Sequence, residues 1–279
     1  SMDTQGSNSV MTLQAKQLTS TFAPYDLVRK MRASFLVLGP LLARTGHAEV
    51  SLPGGCAIGA RPVAFHTDAL IKMGAEITID EGYVKAKAPK GLQGADITFP
   101  IVSVTGTENI LMAATLARGT TRLINAACEP EVTDLANCLV KMGAKIEGIG
   151  TDCLTIEGVA HLSGAFHQIL PDRIETGSYI MAMGTTGGEI RFENTSLDLL
   201  PSVRQVLEST GIAFETFDGG FMAKAERGQI QARDIETAPY PNYPTDLQAQ
   251  FMSMMTTANG TAHITENIFE NRLMHVPEL

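Results

Sequence analysis

The spacing of apolar positions changes repeatedly along the chain between the period of a helix and the alternation of a strand. The phrase LIKMGAEITID at Leu70 returns as LVKMGAKIEGI at Leu139 and, more loosely, as LESTGIAFETF at Leu207. Its glycines, Gly74, Gly143 and Gly211, stand 69 and 68 residues apart. Each closes a helix-periodic run and opens an alternating one, the pattern of a glycine helix cap leading into a strand. A second phrase repeats out of phase with it: LLARTGHAEVSL, TLARGTTRLINA, GTTGGEIRFENT and TTANGTAHITEN, with Gly46, Gly119, Gly188 and Gly260 at spacings of 73, 69 and 72. A third, strand-like phrase reads SVMTLQA, GYVKAKA, DCLTIEG and GFMAKAE. One unit therefore predicts helix, strand, helix, strand, strand, with a further strand placed before the first helix.

The helices of the second phrase, such as ENILMAATLA and TGSYIMAMG, are apolar or small on nearly every face. Helices of that kind belong inside a structure, so the pattern predicts an α/β fold with helices buried and sheets outside. The chain opens on the strands of one unit and stops at HVPEL within another. The expectation is a chain cut from a longer array at both ends.

Composition narrows the partners. Of 279 residues, 44% are hydrophobic and 18% charged, an ordinary globular balance. The 21 Lys and Arg against 30 Asp and Glu leave a net charge of −9, which argues against nucleic acid or an anionic membrane as partner. No apolar run reaches the roughly 18 residues needed to span a bilayer, and the polar start SMDTQGSNS has no signal-peptide core, so a cytoplasmic location is expected. An anionic substrate would need its own basic cluster. Cys56, Cys128, Cys138 and Cys153 show no metal-ligand spacing, and no metal or cofactor is expected. The last three fall in apolar-periodic contexts and read as small buried hydrophobes.

Cys56 differs because it lies in a glycine-rich loop, PGGCAIGARP from Pro53 to Pro62. A thiol near the Arg61 guanidinium and glycine-loop amides has reason for a lowered pKa, which favours both acid and nucleophile roles. Arg61 offers the planar fork suited to phosphate or carboxylate. Gly54, Gly55 and Gly59 give the backbone room to turn and to move as a lid.

That loop, with APYDLVRKMRAS upstream and LPDRIETG, PTDLQAQF and ENRLMHVPEL downstream, resembles the UDP-N-acetylglucosamine 1-carboxyvinyltransferases over about Val10 to Leu279. The resemblance implies the enolpyruvyl transferase fold: two domains of repeated βαβαββ units, an inside-out α/β barrel with the active site between them. It places a domain with the cysteine loop at 1–170 and part of a second at 171–279. It also implies that a Lys-Asn pair before the chain and a phosphate-binding arginine after it are missing. The implied reaction moves an enolpyruvyl group from phosphoenolpyruvate to the 3′-hydroxyl of UDP-N-acetylglucosamine and releases phosphate. By resemblance Cys56 is the proton donor and Asp246 the base or orienting carboxylate. Arg32, Arg61, Pro62, Val63, Ala64, Phe65, Val102, Ser103, Val104, Asp246 and Ile268 bind the nucleotide sugar, and Arg61 and Cys56 meet phosphoenolpyruvate. Asp172 is expected near the domain junction.

Plainer roles stay open for several of these. Thr-Asp before a helical run, as at Asp246, is equally the pattern of an N-cap. Arg32 could be an ordinary solvated arginine, and His66 an ordinary helix-start histidine. Val104-Thr105-Gly106-Thr107 stands where many relatives continue Val-Gly-Ala-Thr, and Tyr240 replaces a histidine of some relatives, so fine substrate contacts differ. Rival functions are 3-phosphoshikimate 1-carboxyvinyltransferase, a chain that only binds nucleotide sugar, and a cysteine hydrolase pairing Cys56 with His66.

Overall fold

The computed structural model describes residues 2–5, 10–53 and 63–279. A hairpin of β1 (Met2–Gln5) and β2 (Val10–Leu13) comes first. The next unit runs through β3 (Phe22–Ala23), α1 (Tyr25–Val28), a 3-10 turn over Arg32–Val37 and α2 (Leu38–Thr45). It continues with β4 (His47–Ser51), α3 (Ala64–Lys72), β5 (Glu76–Asp80) and β6 (Tyr83–Lys87). The following unit contains β7 (Asp96–Thr98), α4 (Val104–Ala114), β8 (Thr120–Ile124), α5 (Pro130–Lys141), β9 (Lys145–Glu147) and β10 (Cys153–Glu157). A third holds α6 (Arg173–Thr186), β11 (Gly188–Glu193), α7 (Pro201–Ser209), β12 (Ala213–Phe217) and β13 (Gly220–Ala225). The fourth has β14 (Ile235–Glu236), a 3-10 turn over Thr245–Leu247, α8 (Gln248–Met255) and β15 (Ile264–Thr265).

The sheets repeat as the phrases do. The strand orders β3-β4-β6-β5 and β7-β8-β10-β9 are the same arrangement, each with one parallel pair, and β11-β13-β12 follows it without a leading strand. All seven phrase glycines have positive φ, among them Gly74 at 89°, Gly143 at 103° and Gly211 at 102°, a region that side chains with a Cβ disfavour. The strand expected before α6 is not formed. Residues 158–172 instead run without regular structure and are tied back to the preceding unit, where Ser163 N–H donates to Met142 O at 2.8 Å.

Burial divides the helices as the patterning predicts. α4 buries Gly106, Thr107, Asn109, Ile110, Leu111, Ala113 and Ala114, whereas α5 buries only the stripe Val132, Ala136 and Leu139. α6 lies so close to α8 and the turn before it that a Cβ on Gly177 would sit 2.6 Å from Leu247 Cδ1, and one on Gly184 2.5 Å from Met254 Sδ. The central strands show one face inward: Leu154 and Ile156 of β10 are buried while Thr155 and Glu157 are not. Among the described residues the buried apolar side chains form two clusters, one running from Val28 to Ile156 and the other from Ile180 to Met254. Cys128, Cys138 and Cys153 are half-buried, a correction to the expectation of fully buried hydrophobes. Cys138 lies one residue from the exposed Asn137 on the outer helix α5, and Cys153 opens its strand, so neither site is enclosed on all sides. Among the described residues no helix is long and apolar enough to cross a membrane.

Candidate active site

Asp246 sits in the 3-10 turn that leads into α8. Its side chain caps neither that turn nor α8, so the N-cap role open to it from the sequence is not taken up. Its Oδ1 accepts a hydrogen bond from Arg272 Nη2 at 2.7 Å, and Thr245 turns away to donate from Oγ1 to Glu266 Oε2 at 2.9 Å. The carboxylate is half in solvent, with 55% of its side chain exposed, and so remains open to a ligand.

Asp246 and Arg272 face a cleft of about 540 Å³ whose other lining comes from Glu131 and Asp134 of α5, from residues 169–172 and from Ile174. The cleft thus takes its lining from α5 on one side and from the 169–174 segment and the turn before α8 on the other. All three of the other carboxylates lining it are engaged within the fold, as is Asp246 by Arg272. Glu131 takes both Nε and Nη2 of Arg173, at 2.9 and 3.3 Å, and Asp134 pairs with His167 Nε2 at 3.0 Å. Asp172 accepts the N–H groups of Ile174 and Glu175 at 2.8 and 3.0 Å, which makes it the N-cap of α6.

The other sequence-predicted residues that are described lie mainly on the first cluster. Arg32 is half-buried at the start of its 3-10 turn, and its charge reaches His66. Val63 is the N-cap residue of α3, followed by Ala64 and Phe65. Val102, Ser103 and Val104 surround the start of α4, where Ser103 Oγ accepts the Gly106 N–H at 3.1 Å. Ile268 donates its N–H to Glu266 Oε1 at 2.8 Å. None of these lines the cleft with Asp246. Cys56, Arg61 and Pro62, with Gly54, Gly55 and Gly59, lie outside the described residues.

Sequence reasoning missed Glu131 and Asp134 beside the cleft and Arg173, the partner of Glu131, which is buried and also lies 5.9 Å from the Tyr240 ring centre. The acidic pair in EPEV and the Asp-Arg of LPDRIETG were the available signals, but their pairing spans 42 residues. Burial, and then the charges of Glu131 and Glu129, push the Glu108 carboxyl up to about 7. Burial and then the Arg32 charge push His66 down to about 4. The two have opposite linkage. The contribution of Glu108 is full below its unfolded value of 4.5 and lost as pH rises through about 7; that of His66 is full above 6.5 and lost as pH falls through about 4. Glu108→Gln should therefore match the parent at pH 4 and gain stability up to about 3 kcal/mol as pH passes 7, read from urea melts across that range. A gain independent of pH would refute the assignment.

Comparison with known proteins places the chain. The family model described as EPSP synthase (3-phosphoshikimate 1-carboxyvinyltransferase) matches residues 3–279. The chain is 58% identical over 271 residues to a UDP-N-acetylglucosamine 1-carboxyvinyltransferase of Rhodospirillum centenum, covering 97% of this chain and 63% of that protein. To the protein of the same name from Caulobacter sp. strain K31 it is 56% identical, covering 98% and 63%. The chain thus spans a little under two thirds of the length of these relatives. The crystal structure of the enolpyruvyl transferase NikO from Streptomyces tendae superposes with a TM-score of 0.81 at 20% identity, covering all of this chain and 66% of that one. EPSP synthase from Acinetobacter baumannii gives 0.57 at 20% identity over 83% of this chain and 54% of the other. Buried helices, repeated outer sheets and these matches together show that the chain belongs to the EPSP synthase family and has the enolpyruvyl transferase fold.

Proposed function

We propose that the protein transfers an enolpyruvyl group from phosphoenolpyruvate to the 3′-hydroxyl of UDP-N-acetylglucosamine, a cytoplasmic step that begins peptidoglycan precursor synthesis. The observation that carries this reading is the 58% identity to a relative named for that reaction, set against 20% to the EPSP synthase structure. In the addition step, Cys56 gives a proton to the methylene carbon of phosphoenolpyruvate while the sugar oxygen bonds to the adjacent carbon and yields its own proton to Asp246. In the elimination step the methyl group returns a proton to the Cys56 thiolate, the double bond re-forms, and the C–O bond to phosphate breaks as the leaving phosphate takes the proton from Asp246. No oxidation state changes, so the scheme calls on no redox group. Arg32, Arg61–Phe65, Val102–Val104 and Ile268 hold the nucleotide sugar, and Arg61 anchors an anionic group of phosphoenolpyruvate. The domain boundary falls near Leu170, between the two apolar clusters.

Phosphate release from phosphoenolpyruvate, measured separately with UDP-N-acetylglucosamine and with shikimate 3-phosphate, tests the choice of acceptor. The expected result is release with the nucleotide sugar, and release with shikimate 3-phosphate alone would overturn it. A second reading, for the 279-residue chain by itself, is favoured by its span of 63% of that relative. Taken alone, the chain is expected to bind nucleotide sugar but turn over slowly. Near-normal turnover by a preparation of confirmed intact mass would refute this.

A further inference from the structure

Asn109 is fully buried near the middle of α4, within the first apolar cluster. Its Oδ1 accepts the N–H of Gly39 at 2.7 Å. Gly39 is the second residue of α2, where backbone N–H groups have no partner in their own helix, so the amide satisfies one of them from a neighbouring helix. That bond fixes which way the amide faces: its Nδ2 must point to the other side, where His66 Nδ1 stands 2.8 Å away. An amide NH₂ can only donate, so Nδ1 of the ring accepts and a neutral His66 carries its proton on Nε2. The His66 ring in turn meets Phe35 edge-on, with centres 5.1 Å apart and planes at 87°. Phe35 belongs to the same 3-10 turn as Arg32.

One side chain therefore joins the segment that bears Arg32, through Gly39 and the Phe35 contact, to the start of α3, which bears Val63, Ala64 and Phe65. The approach is tight: a Cβ on Gly39 would lie 2.3 Å from Asn109 Oδ1 and 2.5 Å from Asn109 O, so α2 cannot sit this close to α4 with any larger residue. Buried hydrogen bonds of this kind are costly to leave unmade, which gives them directional control over the elements they join.

We propose that Asn109 is a positioning residue for the nucleotide-sugar site, holding the Arg32 and Val63–Phe65 segments in register and His66 in its Nε2–H form. This rests on the nucleotide-sugar reading above. The first measurement needs no variant: ¹⁵N-histidine NMR of the 279-residue chain should show His66 protonated on Nε2 at pH 7, and a ring protonated on Nδ1 would overturn the proposal. The second is calorimetric titration with UDP-N-acetylglucosamine. Asn109→Asp keeps the acceptor for Gly39 but removes the donor to His66; the proton should move to Nδ1 and affinity fall about tenfold, as expected for one disturbed polar contact. An affinity within about twofold of the parent, in a folded variant with the tautomer switched, overturns the proposal alone. Failure of the parent chain to bind the nucleotide sugar counts instead against the functional reading, and the parent's tautomer still decides the Asn109–His66 arrangement. Should Asn109→Asp fail to fold, His66→Gln and His66→Leu decide. A glutamine Oε1 can still accept from Asn109 and should keep affinity, which leucine loses; equal loss in both overturns the role.

Discussion

Asp246→Asn is expected to lower kcat of the full-length protein by about 10²–10⁴-fold, the range for loss of a general base, with a much smaller change in KM. The substitution keeps the shape of the side chain and an oxygen that can still accept from Arg272 Nη2, so it removes charge and basicity while leaving the contact at 2.7 Å possible. Stability should hardly move, because the carboxylate is 55% exposed and an ion pair of that kind contributes little. The side chain caps no helix, so no capping energy is lost with it. Phosphate-release kinetics beside a thermal melt make the check. A kcat within about threefold of the parent would remove Asp246 from the chemistry, and a collapse of the melt would return it to a structural role.

Cys56→Ala is expected to abolish measurable phosphate release, a loss again of about 10²-fold or more for a missing acid. In the parent, the epoxide fosfomycin should label this thiol alone. Two of the competing thiols have physical reasons to be slow. Burial, followed by the charges of Asp152 and Glu129, pushes Cys128 up, and burial with Asp134 does the same to Cys138, so little thiolate is available at either. Peptide mass spectrometry locates the adduct, and a label on Cys128, Cys138 or Cys153 would contradict the role given to the PGGCAIGARP loop.

Much of the architecture was legible because its repeats are local. The glycine at the end of each helix demands a left-handed backbone, and the apolar spacing on either side changes period there, so Gly74, Gly143 and Gly211 disclosed both the unit and its order. The segment before α6 was not legible. It repeats no phrase, and it is held by contacts to Met142 and Asp134 that no local period records. The candidate site divides in the same way. Asp246 stood out through its surrounding motif, while Arg272 lies in a motif that was noted without a role for that residue. The Arg173–Glu131 and His66–Asn109 pairs join residues 42 and 43 positions apart, and only the approach of α6 to α5 and of α3 to α4 brings them together.

The choice of acceptor is the centre of the account, and the mass of the product reads it most directly. Incubated with phosphoenolpyruvate and equal amounts of UDP-N-acetylglucosamine and shikimate 3-phosphate, the full-length protein should convert the nucleotide sugar to its enolpyruvyl ether and release one phosphate per ether formed. Recovery of unchanged nucleotide sugar alongside enolpyruvyl shikimate 3-phosphate would contradict it.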